Sequence, residues 1–345
     1  MHISARTALV AAFLSVGLLF SCSKGGETAL DEARNEWVFG TLCRFSLPKG
    51  SDSGLYREMG DRLRAIEQVM SANWDDSQLE AVNRAAGKGP VWVGQELFAM
   101  VESALSIAYE TGGCFDPTIG PLVKLWGIGT DDARVPSVEE REAAAALSGI
   151  DGVLMDAKAG TIALARAGMR LDLGAIAKGY AADELSRLLE ARGVPFAVID
   201  LGGNVFCHGR KPDGTPWRVG VQDPLSARGG YLGIVEIESG AVVTSGTYER
   251  FFEEDGVRYH HLLDSATGAP ARNGLASVTI VSSSAQLADA LATALFVAGP
   301  EEGYGLIVSQ PLAEAVFVME DGTVRMSPGL KGRFTLRPGD WRLVD

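Results

Sequence analysis

The segment from Leu171 to Leu201 limits the fold most. Leu171-Asp172-Leu173 reads as a short strand, Gly174 as a turn, about Ala175 to Arg192 as a helix, and Ala197–Leu201 as a second strand. Repeated, that unit would build a doubly wound parallel sheet. It does not repeat: after Trp217 come several β-rich segments, and the next long apolar helix is Gln286–Ala298. Upstream, Trp37–Leu47 (WVFGTLCRFSL) reads as one strand, and Tyr56–Val69 carries apolar residues at helical spacing. Asp76–Asn83 begins like a capped helix, and Leu97–Glu110 is an amphipathic helix stopped by Gly112-Gly113. Residues 131–168 look peripheral, with an Ala-rich helix near 138–147 and short strands. Segments such as Ala315–Met319 and Gly332–Leu336 read as strands near the C-terminus. There is no internal repeat and no long linker. The pattern is a mixed α+β chain.

Composition narrows the function classes. A chain of 345 residues with 46% hydrophobic content can bury a sizeable core, which excludes disorder as its main theme. Acidic residues outnumber basic ones by 44 to 31, a net charge of −13, which argues against general nucleic-acid binding. An anionic small molecule would need a local lysine, a helix N-terminus or a metal to receive it.

Residues 1–22 (MHISARTALVAAFLSVGLLFSC) carry Arg6 and then a 13-residue apolar run, Ala8–Phe20. A membrane span needs about 20 residues, so this run has the length of a secretory signal instead. Leu19-Phe20-Ser21-Cys22 looks like a bacterial lipobox, with Cys22 as the lipidated first residue of the mature chain; simple cleavage is the alternative. Residues 23–36 then read as a polar tether and 37–345 as the folded domain. Cys43, Cys114 and Cys207 are left, without CxxC spacing, and read as small buried residues; one disulfide is open to them but nothing requires it.

Four places carry chemistry. In LDLGAIAKGY (171–180), glycine leads into a helix with Lys178 in its first turn, which makes either an anion site or a tight turn with a solvated lysine. In SSSAQLADALATALFVAG (282–299), Asp289 and Thr293 lie four apart on one helix face among Ala and Leu. They could bind a hard cation together with a backbone carbonyl, or lie on an exposed face. In YHHLLD (259–264), adjacent histidines on a strand point to opposite faces, so at most one of them faces a site easily. GCFDPTIGPL (113–122) is a rigid Asp-Pro loop able to line a pocket.

FDPTIGPL, LDLGAIAKGYAAD, VIDLGGN, TSGTYERFF, HLLDSATG and DALATAL occur in one order over roughly 36–335. In that order they resemble the ApbE-like family of FAD:protein FMN transferases. The resemblance implies an α+β, tunnelling-fold-like core with helices packed on mainly antiparallel sheet. It also implies Mg²⁺ at the pyrophosphate of FAD, held by Asp289, Thr293 and the carbonyl of Ala175, with Ala292 beside them. Asp172, Lys178, Cys114, Phe115 and Asp116 would contact the flavin nucleotide. Trp74 would stack on a flat ligand, and His261 and Leu263 belong to the H-x-x-D segment at the nucleotide. Phe39-Gly40-Thr41 stands where the family has Met-Gly-Thr, and Ser265 where it often has Pro.

The implied reaction moves FMN to a Ser or Thr hydroxyl of a second protein with release of AMP. Asp289 and His261 are the two residues available to take the proton. The implied partners are flavoprotein subunits of membrane redox complexes, and the implied place is the periplasmic or outer side of a bacterial membrane. A FAD pyrophosphatase and a non-catalytic FAD-binding lipoprotein are the alternatives.

Overall fold

Strands that follow one another in the chain also lie side by side. The computed structural model describes residues 29–344. In it, Arg34–Val38, Thr41–Ser46, Ala197–Leu201, Asn204–His208, Gly240–Gly246, Leu275–Ser282, Ala313–Met319, Thr323–Met326 and Arg342–Val344 form one sheet in that order. Every neighbouring pair is antiparallel except the last. Alternation along each strand divides two cores. Ile199 and Leu201 pack with the helices on one face, while Val198 packs on the other with Trp217, Val219 and Val235. A three-stranded sheet of Trp217–Gln222, Tyr231–Ile237 and Phe334–Leu336 covers that second face. All eight residues of Leu275–Ser282 are therefore buried.

The helices are α1 (Ser53–Met70), α2 (Gln78–Arg84), α3 (Gln95–Glu110), α4 (Gly120–Trp126), α5 (Val138–Ala145), α6 (Ala177–Ala191) and α7 (Ala285–Ser309). The first six lie between two neighbouring strands of the large sheet, with a small sheet of Val91–Trp92, Thr161–Leu164 and Val153–Asp156 among them. α7 lies against Gly240–Gly246 and Leu275–Ser282, and α6 lies against α7. Gly299 (φ 85°), just before Pro300, breaks α7, so its first half ends where the apolar run at Ala298 predicts.

Three expectations are corrected. Trp37–Leu47 is a hairpin and not one strand, because Phe39 (φ 57°) and Gly40 (φ 62°) take the left-handed pair of a tight two-residue turn. Leu171–Leu173 forms no strand; only a bridge from Arg170 to Ile119 precedes α6, which starts at Ala177 after a turn closed on the Leu173 carbonyl. The tether read over 23–36 enters the fold early: Leu30 bridges Pro48, and the first strand begins at Arg34. Residues 1–22, with Cys22, and the start of the tether lie outside the described residues.

Cys43, Cys114 and Cys207 are free thiols. Burial pushes the pKa values of Cys43 and Cys207 up to about 12, which keeps them unreactive. Among the described residues no helix is long and apolar enough to cross a membrane.

Candidate active site

The site begins where α6 crosses α7. A Cβ on Gly179 would lie 2.2 Å from the carbonyl oxygen of Ala285 and 2.8 Å from the Asp289 Cβ, so only glycine fits this crossing. The closeness lets the Gly179 N–H donate to Asp289 Oδ2 at 2.9 Å. Asp183, one turn along α6, accepts from the N–H groups of Ala285 (2.8 Å) and Gln286 (3.0 Å) and so fixes the start of α7. Gly179→Ala is expected to cost about 2 kcal/mol or more of folding stability, the order of an overpacked core site, read as a lower urea midpoint. An unchanged midpoint would mean that the two helices are not in contact there.

Asp289 is 3% exposed. Its Oδ1 accepts from Asn204 Nδ2 at 2.8 Å and from Lys178 Nζ at 3.3 Å. A carboxylate buried alone would cost several kcal/mol; here a cation and two neutral donors offset that cost. A carboxylate offers about four lone-pair sites, so these donors do not exhaust it. Thr293 is one turn further along the helix, and its Oγ1 has a long contact, 3.4 Å, with Ser245 Oγ. Ala292 is fully buried beside it. Ala175 sits half-buried in the turn that opens α6.

The Gly202-Gly203 turn carries Asn204 to Asp289. Gly202 (φ +70°) is pressed against Thr41, whose Oγ1 would lie 2.4 Å from an added Cβ. Asp200 accepts the Gly203 N–H at 2.7 Å; burial raises its pKa, and that bond works against the rise. The Phe39-Gly40 turn therefore abuts the turn that carries Asn204. Phe39 is half-buried, its N–H donates to Glu67 Oε1 at 2.7 Å, and its positive φ is a costly conformation for a residue with a side chain.

The two loop motifs are stitched together. The Asp172 N–H donates to the Pro117 carbonyl at 2.8 Å. Asp116 Oδ1 accepts from the Thr118 N–H (2.8 Å) and hydroxyl (2.5 Å), so this carboxylate shapes its own loop. Asp172 Oδ1 accepts the Gly174 N–H at 2.7 Å; burial raises its pKa, opposed by that bond and by the charges of Arg170 and Arg250. Asn83 bonds both main-chain groups of Leu171, at 2.7 and 3.0 Å. Arg170 pairs with Glu80 at 2.7 Å and donates to the Ala72 carbonyl at 3.2 Å, which ties the turn bearing Trp74 to the same segment. Trp74 is 45% exposed. Cys114 is half-buried, whereas the Phe115 ring is 2% exposed and belongs to the core, which leaves only its main chain for a ligand.

The two histidines have separate surroundings, and only His260 lies on a strand. His260 is buried, with its ring edge-on to Phe296 and Nε2 3.0 Å from the Ala271 carbonyl; burial lowers its pKa to about 4. His261 lies just beyond the strand Val257–His260. Its N–H donates to the Arg250 carbonyl at 3.1 Å, and its Nδ1 is 3.2 Å from the same oxygen. A carbonyl only accepts, so Nδ1 carries the proton and Nε2 presents a lone pair. Burial first, and then the Arg250 charge, lower the His261 pKa to about 3. Leu263 is buried with Leu122 and Trp126, so its side chain belongs to a small core.

Asn204, Asp183, Asn83 and the Arg170–Glu80 pair were not read as site residues. Each acts through a partner that lies far away in sequence, so local spacing does not mark it. Among the described residues no group of three or more His, Cys, Asp or Glu gathers to hold a metal. The oxygen donors available are one carboxylate, one hydroxyl and main-chain carbonyls, the kind of set a hard cation shares with a ligand's phosphates.

Fold and site together define a class: a mainly antiparallel α+β protein whose helix crossing joins a buried carboxylate, a lysine and further oxygen donors, equipment suited to an anion with a hard counter-cation. A sequence profile described as the ApbE family matches residues 39–317, and the chain belongs to that family. It is 42% identical over 331 residues to the FAD:protein FMN transferase of Treponema pallidum (strain Nichols), covering 90% of this chain and 91% of that one. It is 32% identical over 341 residues to the FAD:protein FMN transferase of Escherichia coli (strain K12), covering 94% and 96%. Solved structures agree. The ApbE protein of Thermotoga maritima superposes with a TM-score of 0.81 at 34% identity, covering 88% of this chain and 98% of that one. The flavin transferase ApbE of Vibrio cholerae superposes with a TM-score of 0.78 at 30% identity, covering 88% and 99%.

Proposed function

We propose that this chain is a Mg²⁺-dependent FAD:protein FMN transferase that joins FMN to a Ser or Thr hydroxyl of a second protein and releases AMP. The observation that carries the reading is Asp289, buried at the α6–α7 crossing with Lys178, Asn204 and the Gly179 N–H on its oxygens. Asp289, Thr293 and the carbonyls of Ala175 and Ala292 would hold the Mg²⁺, a set that fits a hard cation because every donor is oxygen. When bound, Mg²⁺ supplies positive charge against the pyrophosphate and the leaving AMP.

The other roles fall to the chain itself. Lys178, at the start of α6, adds positive charge for the pyrophosphate. Asp172, Cys114, Asp116 and the main chain at Phe115 meet the nucleotide, and Leu263 backs the wall beside His261. Phe39 and Trp74 offer rings to the flat flavin. Asp289 already accepts from Lys178, Asn204 and the Gly179 N–H and would hold the cation, so its oxygens are committed. His261 is the base: its Nε2 takes the hydroxyl proton as the acceptor oxygen bonds to the FMN phosphorus and the bond from that phosphorus to the bridging oxygen breaks. The electron pair of that bond leaves with AMP.

The leader ending in Cys22 supports a lipid-anchored protein facing the periplasm or cell exterior, with flavoprotein subunits of membrane redox complexes as acceptors. The test uses the chain in detergent with FAD and Mg²⁺, with and without such a subunit carrying an acceptor Thr. AMP released only with the subunit, together with an FMN mass increment on it, is the expected result. Equal release without the subunit would make the chain a FAD pyrophosphatase, and bound FAD without AMP would make it a carrier.

A further inference from the structure

TSGTYERFF (244–252) is the motif whose chemistry is still unaccounted for, and it contains Arg250. Arg250 stands directly before the hairpin Phe251–Glu254/Val257–His260, whose register sets it across from His261. Its carbonyl oxygen receives both the N–H and the Nδ1–H of His261, so its main chain orients the base. Its side chain passes the loop that follows α4: its Cδ lies 3.8 Å from where a Cβ on Gly129 would be. The positive charge bears on both Asp172 and His261.

The guanidinium is exposed, and among the described residues no carboxylate lies within ion-pair distance of it. The acids nearest in sequence are engaged elsewhere: Glu249 with Arg228 at 3.7 Å and Glu253 with Arg258 at 3.2 Å. The other cation whose charge reaches His261, Lys178, is held by Asp289. His261 therefore has a committed cation on the α6 side and an uncommitted guanidinium on the hairpin side.

The geometry points to Arg250 as a further catalytic residue, whose guanidinium binds the phosphoryl group of FMN as it passes to the acceptor hydroxyl, on the side away from Asp289. This rests on the transferase reading above. A guanidinium presents paired N–H donors that match two phosphoryl oxygens at once. Charge on those oxygens is greatest during transfer, so the contact acts on turnover more than on ground-state binding of FAD. The balance of the reaction is unchanged: one phosphorus–oxygen bond forms, one breaks, and His261 takes the proton.

The experiment measures AMP release and FMN transfer by the full chain with FAD, Mg²⁺ and the acceptor subunit, for wild type, Arg250→Ala, Arg250→Lys and His261→Gln. Arg250→Ala should lower kcat by about 10³-fold, the low end of the range known for arginines that contact a transferring phosphoryl group, while its KM for FAD stays within about threefold. Arg250→Lys should recover part of the loss. Guanidinium chloride at a non-denaturing concentration should raise the rate of Arg250→Ala and leave His261→Gln unchanged. A kcat within about threefold of wild type overturns the proposal, as does a loss that neither lysine nor guanidinium restores. A wild-type chain that binds FAD and transfers nothing overturns the transferase reading, and the role of Arg250 with it.

Discussion

Replacing Asp289 with Asn is expected to lower Mg²⁺-dependent AMP release by about a thousandfold or more, since a bound divalent cation supplies several kcal/mol of charge stabilisation and each 1.4 kcal/mol is tenfold. The amide keeps the size of the side chain and still accepts from Asn204 or Lys178. It loses the charge that pairs with Lys178 and would hold the cation. An Asp289→Asn protein that melts cooperatively near the wild-type temperature but has lost turnover separates this effect from misfolding. Full activity with Mg²⁺ in that variant would remove the cation from this corner altogether.

His261→Gln should slow transfer by about 10²–10⁴-fold, the usual contribution of a positioned general base. The pH profile sharpens this. The folded-state pKa of His261 is lowered to about 3, so the ring is already the neutral base above that pH. The acid limb of kcat/KM due to this group should therefore lie near pH 3, and the wild-type profile should not fall on its account between pH 8 and 5. A limb near pH 6.5 that disappears in His261→Gln would show a ring titrating as in water. Stability follows the same shift: an unfolded histidine takes its proton near pH 6.5 and the folded one does not. The contribution of the neutral ring is thus complete above pH 6.5 and is lost as pH falls from there toward 3.

Much of this site could be read from local spacing. Asp289 and Thr293 share a helix face because they are four apart, and Lys178 follows a glycine into a helix start. The α+β class came from one strand–helix–strand unit that fails to recur. The hidden parts depend on distance along the chain. Asn204 reaches Asp289 across 85 residues, and the Gly179 N–H reaches it across 110. The Phe39-Gly40 turn was missed for a different reason: a phenylalanine at positive φ is disfavoured locally, and only the surrounding hairpin, with Glu67 on its N–H, holds it there. Leu171–Leu173 fails as a strand because Asn83 takes both main-chain groups of Leu171 before a neighbouring strand can.

The order of the large sheet also sets the order of assembly. From Ala197 onward, most of its strands pair with partners that follow soon after in the chain, and such hairpins close quickly. Thr41–Ser46 must instead wait for Ala197–Leu201, with residues 47–196 looped out between them. Growing a loop from a two-residue turn to that length adds about six doublings, each costing about 0.6 kcal/mol of chain entropy. Thr41 meets Gly202 only once that loop closes. The first hairpin is therefore the last edge to be sewn on, and an emerging chain stays catalytically blank until its second and third strands have found each other.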